Sequence, residues 1–201
     1  MTIELKNKKK QILKAAKDIF LAKGFAGAPI SKIATDAKVP KALIYHYFKN
    51  KDELWKEVKI NIFEEYFEED IISNTPTNNF YDFLSYIVSK RIQIYAHNDD
   101  LVKIIRWQAL EDADKESPLI TTPTSSILEP WHKTIIHFQN IKEIRSDVNP
   151  SQALLMIMQA PSSPFLISNH PFGQEDNENQ LKSYETMLIN VLFDGLKNIV
   201  K

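Results

Sequence analysis

Apolar residues recur with a helical period in three short, closely spaced segments near the start of the chain. The first segment, residues 8–23, is followed by Gly24, a residue that often ends a helix. Its apolar positions fall at i, i+4, i+7 and i+8, occupied by Ile12, Ala16, Ile19 and Phe20. A second period begins at Pro29, and a third begins at Pro40 and ends near Lys49. Three short helices with a tight turn between the last two are the outline of a helix-turn-helix.

The rest of the chain has the same period, interrupted by the stretches NTPTNN, ESPL and SNHPFGQEDNEN. Asn50 is placed to cap a fourth helix, with Glu53 three residues later as part of a capping box. Further helices are predicted at about 78–97, 101–113, 123–143, 150–160 and 178–199. The sequence therefore predicts an all-α protein, with a helix-turn-helix domain in residues 1–50 and a second helical domain in residues 51–201.

Charge is distributed unevenly along the chain, although the net charge of the whole is −1. Residues 1–51 contain twelve lysines, no arginine and three acids, a net charge of +9. Residues 52–201 contain the other 13 bases and 23 acids, a net charge of −10. The basic segment would attract a polyanion, and the remainder would repel it. A solvated lysine-rich face is an equally good interpretation of the charge alone.

Composition excludes several classes of function. The chain has no cysteine, which rules out disulfides, thiolate metal sites and thiol nucleophiles. It begins with MTIELKNKKK, which lacks the apolar region of a secretory signal, and no apolar run approaches the ~20 residues of a membrane span. We therefore expect a cytoplasmic protein. His132 and His137 lack the carboxylate companion of a zinc motif, so no metal, cofactor or catalytic constellation is predicted.

The third helix has more aromatic rings than one buried stripe can hold, because Tyr45, His46, Tyr47 and Phe48 are consecutive. At helical spacing, Val39, Ile44 and Phe48 face inward, and the outward positions are Lys41, Ala42, Leu43, Tyr45, His46 and Tyr47. Tyrosine hydroxyls and lysine ammonium groups are common partners of DNA phosphates. Lys41 could donate to a guanine edge, and Leu43 could pack on a thymine methyl. Lys51, at the start of the fourth helix, is expected within reach of a phosphate.

Residues 10–54 resemble the DNA-binding domain of the tetracycline-repressor (TetR) family of transcriptional regulators. The matching residues are Ala15-Ala16, Phe20, Gly24-Phe25, Ile30, Ile33-Ala34, Ala37, Val39, Ile44-Tyr45-His46-Tyr47-Phe48 and Lys49-Asn50-Lys51-Asp52-Glu53-Leu54. By resemblance, Tyr45, Tyr47 and Lys51 correspond to backbone contacts, and the positions that often touch DNA are Ser31, Lys41, Ala42, Leu43 and His46. The resemblance also implies a helical second domain that binds a small effector, and a fourth helix whose movement releases a palindromic operator.

Some residues depart from the family pattern. Lys38 stands where the family usually has glycine, so it is expected to adopt a left-handed conformation at about 1 kcal/mol. Pro40 replaces the usual Ser or Thr cap and sets φ instead. Leu43 cannot hydrogen-bond a base, and the domain has no arginine for bidentate contact with guanine. We therefore expect an operator that favours A·T pairs.

The last two predicted helices carry apolar residues on more than one side. The segment ALLMIMQA (153–160) is apolar all round, which predicts burial on every side. The final helix has one stripe of Leu181, Tyr184, Leu188, Val191, Leu192 and Gly195, with Met187, Ile189 and Phe193 off it. These helices are predicted to form a homodimer interface; two core helices of a monomer are the alternative.

The effector pocket is the least constrained part of the sequence. Bulky residues of the middle helices that could line it are Tyr86, Tyr95, Trp107, Trp131, Phe138 and Met158, with Arg106, His97, Gln108 or His137 as polar anchors. Such a lining suits a small, largely apolar effector. The function predicted is a ligand-responsive regulator, most simply a repressor. A helical small-molecule-binding protein that does not bind DNA, and a helical enzyme, are the alternatives.

Overall fold

The computed structural model describes residues 3–66, 69–111, 128–167 and 177–199. These residues contain no β-strand, only an isolated antiparallel bridge between Ile144 and Lys197. Their helices are α1 (Ile3–Lys23), α2 (Ile30–Asp36), α3 (Lys41–Tyr47), α4 (Lys51–Tyr66), α5 (Glu69–Ser73), α6 (Phe80–His97), α7 (Asp99–Glu111), α8 (Glu129–Asn140), α9 (Pro150–Gln159), a 3-10 helix (Ala160–Leu166) and α10 (Asn177–Leu196). The predicted all-α fold is confirmed. None of the described helices has both the length and the apolar character needed to cross a membrane.

The predicted helices agree with these elements within a few residues, with three differences. The helix predicted at 123–143 lies partly outside the described residues, and its described part, α8, ends at Asn140. The short α5 was not predicted. Nor was the 3-10 helix, which contains Pro164 and follows α9 directly. Proline has no N–H to donate within an α-helix, and Pro161 stands two residues after Gln159, which explains why the α-helical pattern stops there.

The chain folds into two compact units. Of the described residues, 3–66 and 100–111 form the first unit, and 69–99, 128–167 and 177–199 form the second. Nearly all of α7 therefore belongs to the first unit, although the chain reaches it only after passing through α6 of the second. The predicted boundary between functional domains at residue 50 stays a prediction.

The core of the first unit is built from the apolar residues that define the helical period. α1 packs on α2 and α4, and α2 packs on α3. The side chains that meet there are almost fully buried: Ile12, Ala16, Phe20, Ile33, Ile44, Phe48, Leu54, Val58 and Ile62. Burial of each large side chain contributes about 1.5–3 kcal/mol. The predicted inward placement of Ile44 and Phe48 is confirmed. Because these two side chains pack into the core, the opposite face of α3 lies in solvent.

The turn between α2 and α3 has a left-handed lysine. Lys38 has φ 52°, as predicted from its position in the turn. Its N–H donates to the carbonyl of Thr35 (3.1 Å), and the N–H of Val39 donates to the carbonyl of Ala34 (3.0 Å). These two bonds form a Schellman motif, which satisfies carbonyls at the end of α2. The motif turns the chain so that α3 begins at Lys41, directly after the N-cap residue Pro40, which makes no side-chain cap.

The start of α4 is fixed by Asn50 and Glu53. The side-chain oxygen of Asn50 accepts from the N–H of Glu53 (2.8 Å), so the predicted cap is confirmed. The Glu53 carboxylate accepts from the N–H of Lys49 (2.6 Å), one residue earlier than in a standard capping box. Lys51, the first residue of α4, is thereby held beside the end of α3.

The second unit is organised around α6. This helix packs on α9, the 3-10 helix and α10, and α8 packs on α9. Aromatic rings fill the centre, with Phe138 of α8 against Phe80 and Phe83 of α6 at centroid distances of 6.0 and 5.5 Å. The N–H of Phe80 also donates to the Glu143 carboxylate (2.5 Å). Because Glu143 lies just after α8, this bond joins the start of α6 to the end of α8.

The outward sides of α9 and α10 differ from the prediction. Leu155 and Met156 are 40% and 53% exposed, so the expectation that α9 is buried on every side is wrong for this chain. The predicted stripe of α10 is only partly correct, because Leu188 and Leu192 are buried with Ile189. Val191 and Met187 are 60% and 49% exposed. The inward face of α10 is thus rotated from the predicted one, and apolar residues remain on its outer side.

Candidate nucleic-acid interface

The outer face of α3 presents polar, cationic and aromatic groups to solvent. Lys41, Ala42 and His46 are exposed, and Tyr45 is 52% exposed. The inner face holds Ile44, which is buried. An exposed aromatic residue on a helix whose opposite side is fully packed is available to a partner without any unfolding. The predicted orientation of α3 is therefore confirmed.

The rings at the end of α3 support one another. His46 and Tyr47 meet edge to face at 5.4 Å, and Tyr47 lies 6.3 Å from the buried Phe48. Leu43 and Tyr47 are half-buried, and Ser31 is exposed at the start of α2. Packing against Phe48 limits the rotamers of Tyr47, which lowers the entropy lost when its hydroxyl binds an acceptor. The DNA-contact roles of these residues stay predictions.

Lys51 is held by an aromatic ring. Its Nζ lies 4.5 Å from the centroid of the Phe25 ring and donates to the Ala26 carbonyl (3.5 Å). The Phe25 ring lies 6.1 Å from Trp55 and 6.3 Å from Phe20. This cluster was not predicted, although Phe25 and Trp55 were visible in the sequence. It fixes the Lys51 ammonium beside the N–H groups at the start of α4, where the helix dipole favours an anion.

The candidates for the effector pocket fall in both units. The second unit contains Tyr86, Tyr95, Trp131, Phe138 and Met158, all buried except the half-buried Tyr86. Trp131 donates from its indole N–H to the Thr75 hydroxyl (3.0 Å). Tyr95 stacks on Phe165 at 6.0 Å. These residues belong to one core, but whether they line a pocket stays a prediction.

Arg106 and Trp107 belong instead to the first unit. Trp107 donates from its indole N–H to the carbonyl of Leu21 (3.2 Å) near the end of α1. Its ring lies against Gly24, where a Cβ atom would come within 2.6 Å of the ring. Gly24 also has φ +69°, so two independent reasons exclude a larger residue. A second contact joins Lys17 of α1 to Asp100 of α7 (3.3 Å). α7 is therefore attached to α1 in its first turn, at Asp100, and again at Trp107.

Arg91 is a buried cation of the second unit that the sequence analysis missed. It is 5% exposed and donates to the Tyr95 hydroxyl (2.5 Å), one turn further along α6. Burial lowers the pKa of its guanidinium, and the neighbouring Tyr95 opposes that change. An arginine stays charged in proteins, so this side chain offers a positive charge inside an apolar core. The only signal in the sequence was its position on the apolar stripe of α6.

No group of three or more His, Asp or Glu residues suited to a metal ion occurs among the described residues. The site is thus defined by the exposed face of α3, the Lys51 ammonium and the tight turn that precedes α3. These features form a helix-turn-helix with one solvent-exposed helix face.

Comparison with known proteins finds similarity to a family of regulatory proteins in the first helices of the chain. Residues 12–58 match the model of the bacterial regulatory proteins of the tetR family. Over these residues the chain is similar to the TetR family of transcriptional regulators. It is 30% identical over 110 residues to an HTH-type transcriptional repressor of Streptomyces coelicolor, and 35% identical over 102 residues to the fatty acid metabolism regulator protein of Bacillus subtilis. These alignments cover 55% and 49% of this chain, and 54% and 50% of the two relatives, so the chain spans about half the length of the curated relatives it matches.

The fold of the whole chain has a counterpart among solved structures. A crystal structure of the transcriptional regulator FadR from Bacillus subtilis, in complex with stearoyl-CoA, superposes with a TM-score of 0.62. That match covers 92% of this chain and 98% of the other at 23% identity. At this identity the likeness shows the fold alone.

Proposed function

We propose that this chain is a ligand-responsive transcriptional repressor that binds a palindromic operator as a homodimer. A small, largely apolar effector releases it from DNA. The observation that carries the proposal is the exposed face of α3, with Tyr45 and Lys41 outward, beside the Lys51 ammonium at the start of α4. The protein is not an enzyme in this proposal, and it acts in the cytoplasm, where the chromosome is accessible.

Binding to DNA uses two kinds of contact. Lys41 and Leu43, near the N-terminal end of α3, face the base edges, and Ala42 and His46 lie beside them. Tyr45, Tyr47 and Lys51 bind phosphates and fix the position of the helix on the duplex. Ser31 contacts the backbone from the start of α2. Because residues 1–51 have a net charge of +9, the duplex is drawn to this end of the chain.

Dimerisation uses the outer sides of α9 and α10. These sides carry Leu155, Met156, Met187 and Val191, all at least 40% exposed in the single chain. Apolar residues exposed on both elements suit a self-complementary interface with two-fold symmetry. Two copies related by such an axis would place their α3 helices in successive major grooves, about 34–36 Å apart.

The effector that we propose is a molecule with a long acyl chain. Two relatives support this class: the matched curated protein is a fatty acid metabolism regulator, and the matched crystal structure contains stearoyl-CoA. The second unit offers an apolar environment lined by Tyr86, Tyr95, Trp131, Phe138 and Met158. Arg91, beside Tyr95, provides a buried positive charge for the polar end of such a ligand.

Release requires that the effector bind the free form of the protein better than the DNA-bound form. Helix α4 connects α3 to the second unit, and α7 returns from the second unit to α1. Trp107 and Asp100 of α7 are the residues bonded to α1. These bonds join α7 to α1, so a change in the position of α7 would reach α1 and the helices packed on it. Arg106, next to Trp107, would move with it.

DNA binding is tested with a mixed-sequence duplex in a fluorescence anisotropy titration at several salt concentrations. Wild type should bind, and Lys51→Ala should bind more weakly, with a log K against log salt slope reduced by about 0.9 for one lost phosphate contact. Lys133→Ala is the matched control, because Lys133 is an exposed lysine of the second unit paired with Glu129 (3.4 Å). Absence of binding by wild type at low salt would favour a helical ligand-binding protein that does not use DNA.

The effector class is tested on the same complex. Stearoyl-CoA should lower the anisotropy of the bound duplex, whereas coenzyme A alone should leave it unchanged. Arg91→Met should weaken the response to stearoyl-CoA and keep the affinity for DNA, since Arg91 lies in the other unit. An equal response to coenzyme A, or no response to any acyl chain length, would rule out the acyl effector.

A further inference from the structure

A groove next to the helix-turn-helix is lined by lysines that none of the contacts proposed above uses. It lies in the first unit between one face of α1 and the end of α2, with a volume of about 410 Å3. Its charged and polar lining residues are Lys8, Gln11, Lys14, Asp18, Asp36 and Lys38. Three lysines thus line one surface groove of the first unit, which also contains α3.

The acids of the groove do not cancel this charge. Asp36 pairs with Lys32, a residue outside the groove, at 2.6 Å. Asp18 then opposes Lys8, Lys14 and Lys38, which leaves an excess of positive charge along the groove. A surface of this kind fits a polyanion better than a single small anion, because the ammonium groups come from two separate elements.

Lys38 is close to the base-contacting end of α3. It precedes Lys41 by three residues, so their Cα atoms are at most about 11 Å apart. The major groove is about 12 Å wide, so a helix that enters it lies between two lines of phosphates. With α3 in the major groove, the exposed Lys38 side chain would lie near one of those lines. Lys14 and Lys8 continue from it along α1.

We infer that Lys38, Lys14 and Lys8 form a second phosphate-binding surface, which holds the DNA backbone beside the segment bound by α3. The inference rests on the proposed function, because it requires α3 in the major groove. The groove holds the phosphodiester chain of the same duplex, and its contacts do not depend on base sequence. Asp18 limits the extent of this surface, since its carboxylate repels a phosphate.

The chain contains a matched control for Lys38. Lys142 follows α8 in the second unit, has φ 64° and ends its helix with the same pair of bonds. Its N–H donates to the carbonyl of Gln139 (3.1 Å), and the N–H of Glu143 donates to the carbonyl of Phe138 (2.8 Å). Lysine is unfavourable at both positions, since glycine is the usual residue at this site of a Schellman motif. The two lysines share their backbone geometry and differ in their surroundings.

The test compares Lys38→Gly with Lys142→Gly by thermal melting and by binding of a mixed-sequence duplex across salt. Both variants should melt at the wild-type temperature or above it, by up to about 2–4 °C, because glycine relieves the left-handed conformation. Only Lys38→Gly should bind DNA more weakly, with a salt slope reduced by about 0.9 for one lost phosphate contact. Lys38→Arg should keep the wild-type slope, because it keeps the charge.

Two further variants test the groove itself. Lys14→Gln should reduce the slope again by a similar amount, and Asp18→Asn should bind DNA more tightly than wild type. Equal slopes for Lys38→Gly, Lys142→Gly and wild type, with Lys51→Ala still reduced, would overturn the inference and leave the proposed function intact. Unchanged or weaker binding by Asp18→Asn would also overturn it, since the phosphates would then lie outside the groove. Failure of wild type to bind any duplex would overturn both.

Discussion

Two helices of this protein leave a face in solvent, and the two faces have opposite chemistry. The outer face of α3 carries Lys41, Tyr45 and His46, whereas the outer face of α10 carries Met187 and Val191. Both helices bury their other side, so neither exposed face is needed to hold its own unit together. The chemistry of each solvent-exposed face therefore indicates the kind of partner that it fits. Ammonium, hydroxyl and imidazole groups fit a phosphate-rich duplex, and apolar side chains fit a second copy of the chain.

The largest effect is expected from a charge on the face of α10. Val191→Asp should prevent dimerisation, because a carboxylate would be buried without a partner in an apolar interface. Loss of the second half-site contact should then weaken operator binding by about 10²–10⁴-fold. Analytical ultracentrifugation and a DNA titration measure the two consequences. Asn190→Asp, the same charge on a neighbouring polar position of α10, is the control, and a dimeric Val191→Asp would disprove this interface.

The next prediction compares how alanine changes the free energy of unfolding at two glycines, one in each unit. Gly24→Ala should destabilise the protein by about 2–5 kcal/mol, because it combines a left-handed φ with a Cβ against the Trp107 ring. Gly195 has no atom within 4 Å of an added Cβ and lies in α10. Gly195→Ala should therefore stabilise by about 0.5–1 kcal/mol. Urea denaturation measures both, and equal changes in the two variants would contradict the packing of α7 on α1.

A smaller loss of DNA affinity is expected from a substitution on the exposed face of α3. Tyr45→Phe removes one hydroxyl and keeps the ring, so it should weaken DNA binding by about 1.5–3 kcal/mol if that hydroxyl donates to a phosphate. The loss should be the same for all duplex sequences, because phosphate contacts carry no sequence information. Tyr81→Phe, an exposed tyrosine of the second unit, should bind as wild type does. A loss that differs between duplexes would indicate a base contact instead.

The sequence predicted the first unit well because its signals are local. The helical period, the left-handed Lys38 and the Asn50 cap each depend on a few neighbouring residues, and all three are confirmed. The period also defined which face of α3 is exposed. The sequence did not predict which residue each functional group contacts. The Phe25 ring beneath Lys51 is an example, because the contact joins residues 26 positions apart in sequence.

The second unit was harder to predict because its helices are apolar on several sides. The period of α10 allowed more than one inward face, and the observed face includes Ile189 instead of Val191. Arg91 was not recognised as a buried charge, since the only signal in the sequence was its position on the apolar stripe of α6. Trp107 was grouped with the effector candidates because α7 lies between helices of the second unit in sequence. Its bond to Leu21 and its place in the first unit arise only from the tertiary fold.

The central claim is that this chain recognises a palindromic DNA site through α3, and selection of bound duplexes from a random pool tests it most directly. The account predicts an enriched palindrome with half-site centres about 34–36 Å apart and mostly A·T pairs where α3 meets the bases. It also predicts that Val191→Asp selects no two-fold symmetric site. Failure of wild type to enrich any sequence, even at low salt, would contradict the claim, and an enriched site dominated by guanines under α3 would contradict the proposed base contacts.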